Sequence, residues 1–239
     1  MRLHVALTPD ELGQGELHSR TVVVIDVLRA ATTVTAALAH GCRMVIPVLT
    51  PEAARDRARG FPPGEVLLGG ERGGEPIAGF DLGNSPLEYT PDRVAGKVII
   101  FTTTNGTRAL VKTAGAAPTA MAALVNLKAI THWIGDQGRD LTLVCAGEAG
   151  DMSLEDTVCA GLIAEKLAEA GLSLDLSAEA AMARSVARDY QDRLADLRRD
   201  STWARRLAQA GREKDLATCL VLDAWSLVPV FRNGILTAG

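Results

Sequence analysis

The chain has few aromatics, only Phe 4, Trp 3 and Tyr 2 in 239 residues, while Ala and Gly are plentiful. It has four cysteines, Cys42, Cys145, Cys159 and Cys219, with no C-x-x-C pair. Its four histidines, His4, His18, His40 and His132, are scattered. Zinc and disulfide frameworks are therefore not expected, and the cysteines read as buried reduced thiols. No apolar run approaches the ~20 residues of a membrane span. Met1 to Leu7 reads as a first strand without the pattern of a signal peptide, so a cytoplasmic setting is expected. The balance of charge is −4, which leaves no basic field for nucleic acid or an anionic membrane. No G-x-G-x-x-G lies between a strand and a helix, and neither a Walker A sequence nor G-x-S-x-G is present.

What is there is organised by one stretch. Val22 to Ile25 is a continuous β-branched run, as in a strand buried on both faces of a parallel sheet. Asp26 ends it, where open α/β sheets place ligands, and Arg29, Thr32 and Thr33 follow. Thr32 or Thr33 is expected to cap a helix running to Gly41, and free N–H groups there favour an anion. Strand-to-helix turns recur after Lys97–Phe101, at Thr102-Thr-Thr-Asn-Gly-Thr107, and after Leu141–Cys145, at Ala146 to Ser153. If the strands are parallel, all three loops share one edge of the sheet.

The remaining chain reads as a single compact domain over 1–239, a size that buries a substantial core. A loop is expected over 8–20, a strand over Met44–Val48, and a helix from Pro51 through Arg59 capped by Thr50. A strand over Glu65–Leu68 precedes a structureless, Gly-rich stretch from Gly69 to Asn84, whose length points to binding. Ser85, Pro86 and Glu88 read as a capping box. Helices are expected from Asn126 through Ile134, after Ser153, and over nearly all of 177–223, where Val186, Tyr190, Leu194 and Leu197 form a stripe. A hairpin is expected at Asn233-Gly234. The fold class is α/β: a three-layer α/β/α sandwich with a largely parallel sheet and a helical C-terminal segment.

Each candidate residue has two uses. A strand-end Asp such as Asp26 often only caps its loop, yet it also suits catalysis or metal binding, and Arg29 beside it, otherwise a surface residue, is expected to clamp the anionic part of the substrate with its fork. Thr102, Thr103, Thr104, Asn105 and Thr107 donate well to phosphate oxygens, or simply end a strand in an Asn-Gly turn. Glu148, Asp151, Glu155 and Asp156 surround the third loop. Any of them suits Mg²⁺, although helix N-termini also favour acids. Glu71 and Asp81 on the Gly-rich loop have the same two readings.

Four segments in order, Val24-Ile-Asp-Val-Leu-Arg-Ala-Ala-Thr-Thr33, Gly70-Glu-Arg-Gly-Gly74 with Gly79-Phe-Asp-Leu-Gly-Asn-Ser-Pro86, Thr102-Thr-Thr-Asn-Gly-Thr-Arg108, and Cys145-Ala-Gly with Ser153-Leu-Glu-Asp156, are unusual. Through them nearly the whole chain resembles the 2-phosphosulfolactate phosphatase (ComB-like) family. The resemblance implies an α/β/α sandwich and a Mg²⁺-dependent phosphatase acting on the phosphate ester of a small 2-hydroxy acid, with coenzyme M biosynthesis as the setting. Carried over, the catalytic set is Asp26, Arg29 and Asn105. The substrate set is Thr32, Thr33, Asn84, Ser85, Thr102, Thr103 and Thr104, and the metal set is Asp26, Glu71, Asp81 and Asp156. Asp26 is read as nucleophile or metal ligand, with a lean to nucleophile. The expected partner is a small phosphorylated acid, with homo-oligomerisation left open. The alternatives are a phosphatase for another small phosphorylated acid, or a non-catalytic phosphate or carboxylate binder.

Overall fold

Every residue of Thr21–Ile25, Val98–Thr102 and Leu141–Cys145 is buried, as strands covered on both faces must be. They belong to a computed structural model that describes residues 1–13, 17–113, 115–116 and 118–239. Its strands are β1 (Arg2–Ala6), β2 (Thr21–Ile25), β3 (Met44–Pro47), β4 (Val66–Arg72), β5 (Glu75–Pro76), β6 (Val98–Thr102), β7 (Thr119–Ala122), β8 (Leu141–Cys145), β9 (Asp175–Leu176), β10 (Pro229–Arg232) and β11 (Ile235–Ala238). The helices are α1 (Ala30–Ala39), α2 (Pro51–Ala58), α3 (Pro91–Val94), α4 (Gly106–Lys112), α5 (Leu127–Gln137), α6 (Leu154–Glu169), α7 (Ala178–Tyr190), α8 (Leu197–Asp200), α9 (Thr202–Gln209) and α10 (Glu213–Cys219).

All strands join one sheet, in the order β5-β4-β6-β3-β11-β10-β7-β2-β8-β1-β9. Strands β4, β6 and β3 are parallel neighbours, and so are β7, β2, β8, β1 and β9. Between these groups the hairpin β10–β11 pairs antiparallel with both sides and with itself. Three antiparallel junctions reverse the sense of the ladder, so the two groups run in opposite directions along it. The single shared edge expected for the three polar loops therefore holds by parallelism for β2 and β8 only. The loop after β6 still reaches Asp26, because a Cβ on Gly106 would lie 2.5 Å from Asp26 Oδ2.

Alternation along β3 and β6 shows the layers. Val45, Ile99 and Phe101 join the main core with Val34, Ala37 and Leu38 of α1. Ile46, Val98 and Ile100 instead pack with Ala54 of α2. Side chains two apart share a face of a strand, so helices cover both faces, as an α/β sandwich requires. On the other half of the sheet α6 packs on α7, α5, β8 and β2. All four cysteines are free and buried.

Local chemistry explains where the expectations hold. Thr50 Oγ1 accepts from Ala53 N–H at 3.1 Å, with Pro51 opening α2. Gly138 follows α5 with φ 61°, the left-handed turn that glycine supplies cheaply. Asn233 and Gly234, with φ 51° and 80°, make the two-residue turn of the β10–β11 hairpin.

Elsewhere the structure departs from them. The Gly-rich stretch is not structureless: β4 runs on to Arg72 and turns back as β5. Gly70 makes this possible, since a Cβ there would sit 1.9 Å from the Thr102 carbonyl oxygen. Ser85 makes no capping bond on the 3₁₀ turn Pro86–Glu88. Glu88 Oε2 accepts from Gly83 N–H at 2.8 Å instead. Helix α1 starts at Ala30, so Thr32 and Thr33 lie inside it rather than at its cap. The 177–223 region is helical in four pieces, with Ala180, Ala183 and Ala187 forming the buried stripe of α7. Leu194 and Leu197 lie beyond its end. Strand β7, the short small-residue run Thr119–Ala122, has no counterpart among the expected elements. The loop over 8–20 holds a 3₁₀ turn at Pro9–Glu11, and its residues 14–16 lie outside the described residues, as does Ala114 beyond α4.

Candidate active site

Asp26 sits at the carboxyl end of β2 and is only 6% exposed. Its Oδ1 accepts from Ala30 N–H at 2.9 Å, so the first turn of α1 fixes the carboxylate. Burial, followed by the nearby Glu71 and Glu155 charges, pushes its pKa up to about 7 against the opposing pull of the Ala30 N–H and Arg29. Gly106 keeps the far side open, since any Cβ there would strike Oδ2.

Around Asp26 lies a cleft of about 220 Å³, lined among others by Arg29, Glu71, Gly74, Asn84, Thr103, Thr104 and Asn105. The structure thus brings six of the expected residues, Arg29, Glu71, Asn84, Thr103, Thr104 and Asn105, together with Asp26 from both halves of the sheet. Asn105 leads into α4 and makes no side-chain capping bond, so its amide is available to a ligand. Asn84 is buried, and its Oδ1 has no hydrogen-bond partner among the described residues. A buried acceptor without a donor normally has a ligand, ion or water to satisfy it.

Glu71 is used differently. Its Oε2 accepts from Gly74 N–H at 2.7 Å and its Oε1 from Thr104 N–H at 2.7 Å. Thr104 Oγ1 also donates to Oε2, at 3.1 Å. This carboxylate ties the β4–β5 turn to the loop after β6. Asp156 is tied in the same way, to Val27 N–H at 2.8 Å and Gly147 N–H at 3.3 Å. It holds the loops after β2 and β8 together. Burial and the Asp26 and Glu155 charges raise its pKa well above the usual range.

Other expected residues fall behind the cleft or away from it. Asp81 is exposed, and its Oδ2 accepts from Leu68 N–H at 2.8 Å; it holds the edge of β4 and does not line the cleft. Thr32 Oγ1 donates to the Val27 carbonyl at 2.9 Å and Thr33 Oγ1 to the Asn84 carbonyl at 3.2 Å. Both brace α1 rather than face a ligand. Thr102 Oγ1 accepts from Arg72 at 2.6 Å. Thr103 and Thr107 bond to each other, with Thr103 Oγ1 accepting from Thr107 N–H at 3.1 Å.

Arg29 is the largest revision. It is 3% exposed. Nη1 donates to Asp215 Oδ2 at 2.5 Å and Nη2 to the Gly74 carbonyl at 3.1 Å. Its fork, expected to clamp the substrate, is occupied by protein. Ser85 Oγ donates to the other oxygen, Asp215 Oδ1, at 2.5 Å. Asp215 was missed because it sits in the charge-rich helical C-terminal region, where an acid reads as solvated. Trp203 and Arg206 of α9 also line the cleft and were missed for the same reason. Trp203 Nε1 donates to the Leu28 carbonyl at 2.9 Å, which docks α9 over the Asp26 loop. The Leu28–Arg29 peptide bond in that loop is cis.

A sheet-edge cleft that joins a buried carboxylate to hydroxyl, amide and guanidinium donors defines an α/β protein built to receive a small polar ligand. Comparison with known proteins makes this specific. The model of the family described as 2-phosphosulpholactate phosphatase matches residues 6–234. A Symbiobacterium thermophilum protein named probable 2-phosphosulfolactate phosphatase is 45% identical over 92% of this chain and 94% of its own length. Proteins of the same name from Caldanaerobacter subterraneus subsp. tengcongensis and Synechococcus are 40% identical over 98% of this chain and 97% of their length, and 41% identical over 100% of each, respectively. The chain belongs to the 2-phosphosulfolactate phosphatase family and is a phosphoric monoester hydrolase. Among the described residues no helix is long and apolar enough to cross a membrane.

Proposed function

We propose that this protein hydrolyses the phosphate ester of a small 2-hydroxy acid, 2-phosphosulfolactate to sulfolactate and phosphate, with Mg²⁺ held in the cleft. The observation that carries the reading is Asp26. It is a buried carboxylate at the strand end with one oxygen fixed by Ala30, a raised pKa, and the unpartnered Asn84 Oδ1 in the same cleft.

The fit to Mg²⁺ rests on the donor set. Asp26 and Asn84 offer only oxygen, as a hard cation prefers. Burial first, and then the neighbouring acids, raise the Asp26 and Asp156 pKa values, and a cation beside them favours the charged form. Among the described residues no three His, Cys, Asp or Glu side chains are grouped to hold a metal ion by themselves. Mg²⁺ commonly takes one or two protein ligands and completes its shell with water and substrate phosphate. Glu71 and Asp156, with both oxygens on backbone donors, shape the loops around it. When bound, Mg²⁺ supplies charge neutralisation at the phosphoryl oxygens and acidifies water.

This division moves the Asp26 role away from nucleophile. That lean relied on the other acids holding the metal. Glu71 and Asp156 each spend both oxygens on backbone N–H groups and Asp81 stands outside the cleft, which favours Asp26 as the cation-holding carboxylate and water as the attacking group. The water oxygen would bond to phosphorus as the ester P–O bond breaks, and the proton that water gives up would end on the departing oxygen, leaving the 2-hydroxy acid and inorganic phosphate. Asn105 and the Thr103–Thr104 loop orient the phosphoryl group, and Trp203 over Leu28 restricts bulk water.

A panel of phosphorylated 2-hydroxy acids, assayed for phosphate release with Mg²⁺ and after chelation, tests the activity. Release from none of them removes it. Acid quench of labelled substrate tests the role of Asp26. No label should remain on the protein, and a hydroxylamine-sensitive label would restore Asp26 as nucleophile.

A further inference from the structure

The cleft is lined by two arginines, and they differ in what they can give a ligand. Arg29 is buried and spends its fork on Asp215 and Gly74. Arg206 has a side chain 59% exposed and one partner given by the structure, Glu148, at 2.5 Å. Arg206 lies one turn beyond Trp203 on α9, so the two share a face of the helix. Trp203 fixes that face against the cleft through the Leu28 carbonyl and packs over Gly74.

The anion count makes this position useful. Asp26, Glu71 and Glu148 line the cleft along with the two arginines. A phosphorylated acid brings a phosphate and at least one further anion on the neighbouring carbon. Arg29 is already neutralised by the buried Asp215, so Arg206, 59% exposed against a Glu148 that is 17% exposed, is the cleft arginine whose own side chain reaches solvent. A single contact from a guanidinium this exposed is readily exchanged, whereas the guanidinium gains a bidentate partner in a carboxylate or sulfonate.

We propose that Arg206 is the specificity-determining residue for the acid group of the substrate. It leaves Glu148 and clasps the carboxylate or sulfonate while the phosphate sits over Asp26. This inference rests on the phosphatase reading above and deepens it.

The test compares wild type, Arg206→Ala, Arg206→Lys and Glu148→Gln on two substrates, 2-phospholactate as the acid-bearing one and ethyl phosphate as the same ester without the acid. Arg206→Ala should raise KM for 2-phospholactate about 30-fold, with kcat changed far less. Its loss on ethyl phosphate should be at least tenfold smaller, and Arg206→Lys should fall between. Glu148→Gln frees Arg206 and should lower KM for 2-phospholactate. A merely structural ion pair would make Glu148→Gln and Arg206→Ala act in the same direction. Equal losses on both substrates, an unchanged KM, or parallel behaviour of the two variants would overturn the inference while leaving the phosphatase reading standing. If wild type hydrolyses neither substrate, calorimetry with lactate and sulfolactate decides. Tight binding that Arg206→Ala weakens keeps the role of Arg206 without the activity, and no binding overturns both.

Discussion

Asp26 and Glu71 are carboxylates of one cleft, from opposite halves of the sheet, and they do opposite work. Both are buried, at 6% exposure each. Glu71 spends both oxygens on the Gly74 and Thr104 amides. Asp26 spends one, on Ala30, and carries a pKa pushed up to about 7. A carboxylate whose acceptor capacity is filled by fixed N–H groups holds a loop in place. One left partly unsatisfied and crowded by other acids is a group waiting for a cation or a proton.

The sharpest way to break the comparison is to neutralise each acid in turn. Asp26→Asn keeps the acceptor for Ala30 but removes the charge, and kcat should fall by about 10³-fold or more, as expected for lost electrostatic stabilisation of a phosphoryl group. The same variant should fold at least as well as wild type. The sign follows from the raised pKa: the native state holds its proton where the unfolded chain has released it. Stability without metal is therefore intact below about pH 4 and falls as pH rises toward 7. By that linkage the penalty reaches at most about 4 kcal/mol. Denaturant titrations at pH 5 and pH 8 should show this slope in wild type and a flatter one in Asp26→Asn.

Next in size is Asp215→Ala, which strands the buried Arg29 charge and frees Ser85. Removing one partner of a buried pair costs about 3–5 kcal/mol, read as a shift in the urea midpoint. A loss below about 1 kcal/mol would mean that Arg29 finds another anion and is less committed than Asp215 suggests. Glu71→Gln is milder. It turns one acceptor into an NH₂ that faces an amide or hydroxyl donor, which should cost about 1–3 kcal/mol. Its kcat should fall less than that of Asp26→Asn. Equal losses in the two variants would erase the distinction between them.

Much of this was legible in the chain. The β-branched run at Val22–Ile25 announced a strand covered on both sides, the apolar run Lys97–Phe101 announced another strand, and Thr50-Pro51 and Asn233-Gly234 announced their cap and turn, because each depends on neighbours in sequence. The polar loops pointed to the cleft for the same reason. What was not legible depended on distant partners. Gly69 to Arg72 reads as loop by composition, yet Gly69 and Gly70 pair with β6 because Gly70 allows a close approach to Thr102, and Glu71 and Arg72 pair with β5. The C-terminal hairpin was visible, but its insertion between the two parallel groups was not, since strand order leaves no local pattern. Asp81 and Glu71 share a Gly-rich stretch and a residue class, and only the fold sends one to the edge of β4 and the other into the cleft. Asp215 could not be told from its solvated neighbours without knowing that Arg29 lies buried opposite it.

The central claim is that Asp26 makes this cleft a Mg²⁺-dependent phosphatase site. It is tested most directly by measuring Mg²⁺ affinity by calorimetry and phosphate release from 2-phosphosulfolactate on the same preparations of wild type and Asp26→Asn. The account predicts that wild type binds Mg²⁺, loses activity on chelation and regains it on adding Mg²⁺ back, while folded Asp26→Asn shows weakened Mg²⁺ binding and no turnover. Full activity of chelated wild type, or turnover by Asp26→Asn near the wild-type rate, would contradict it.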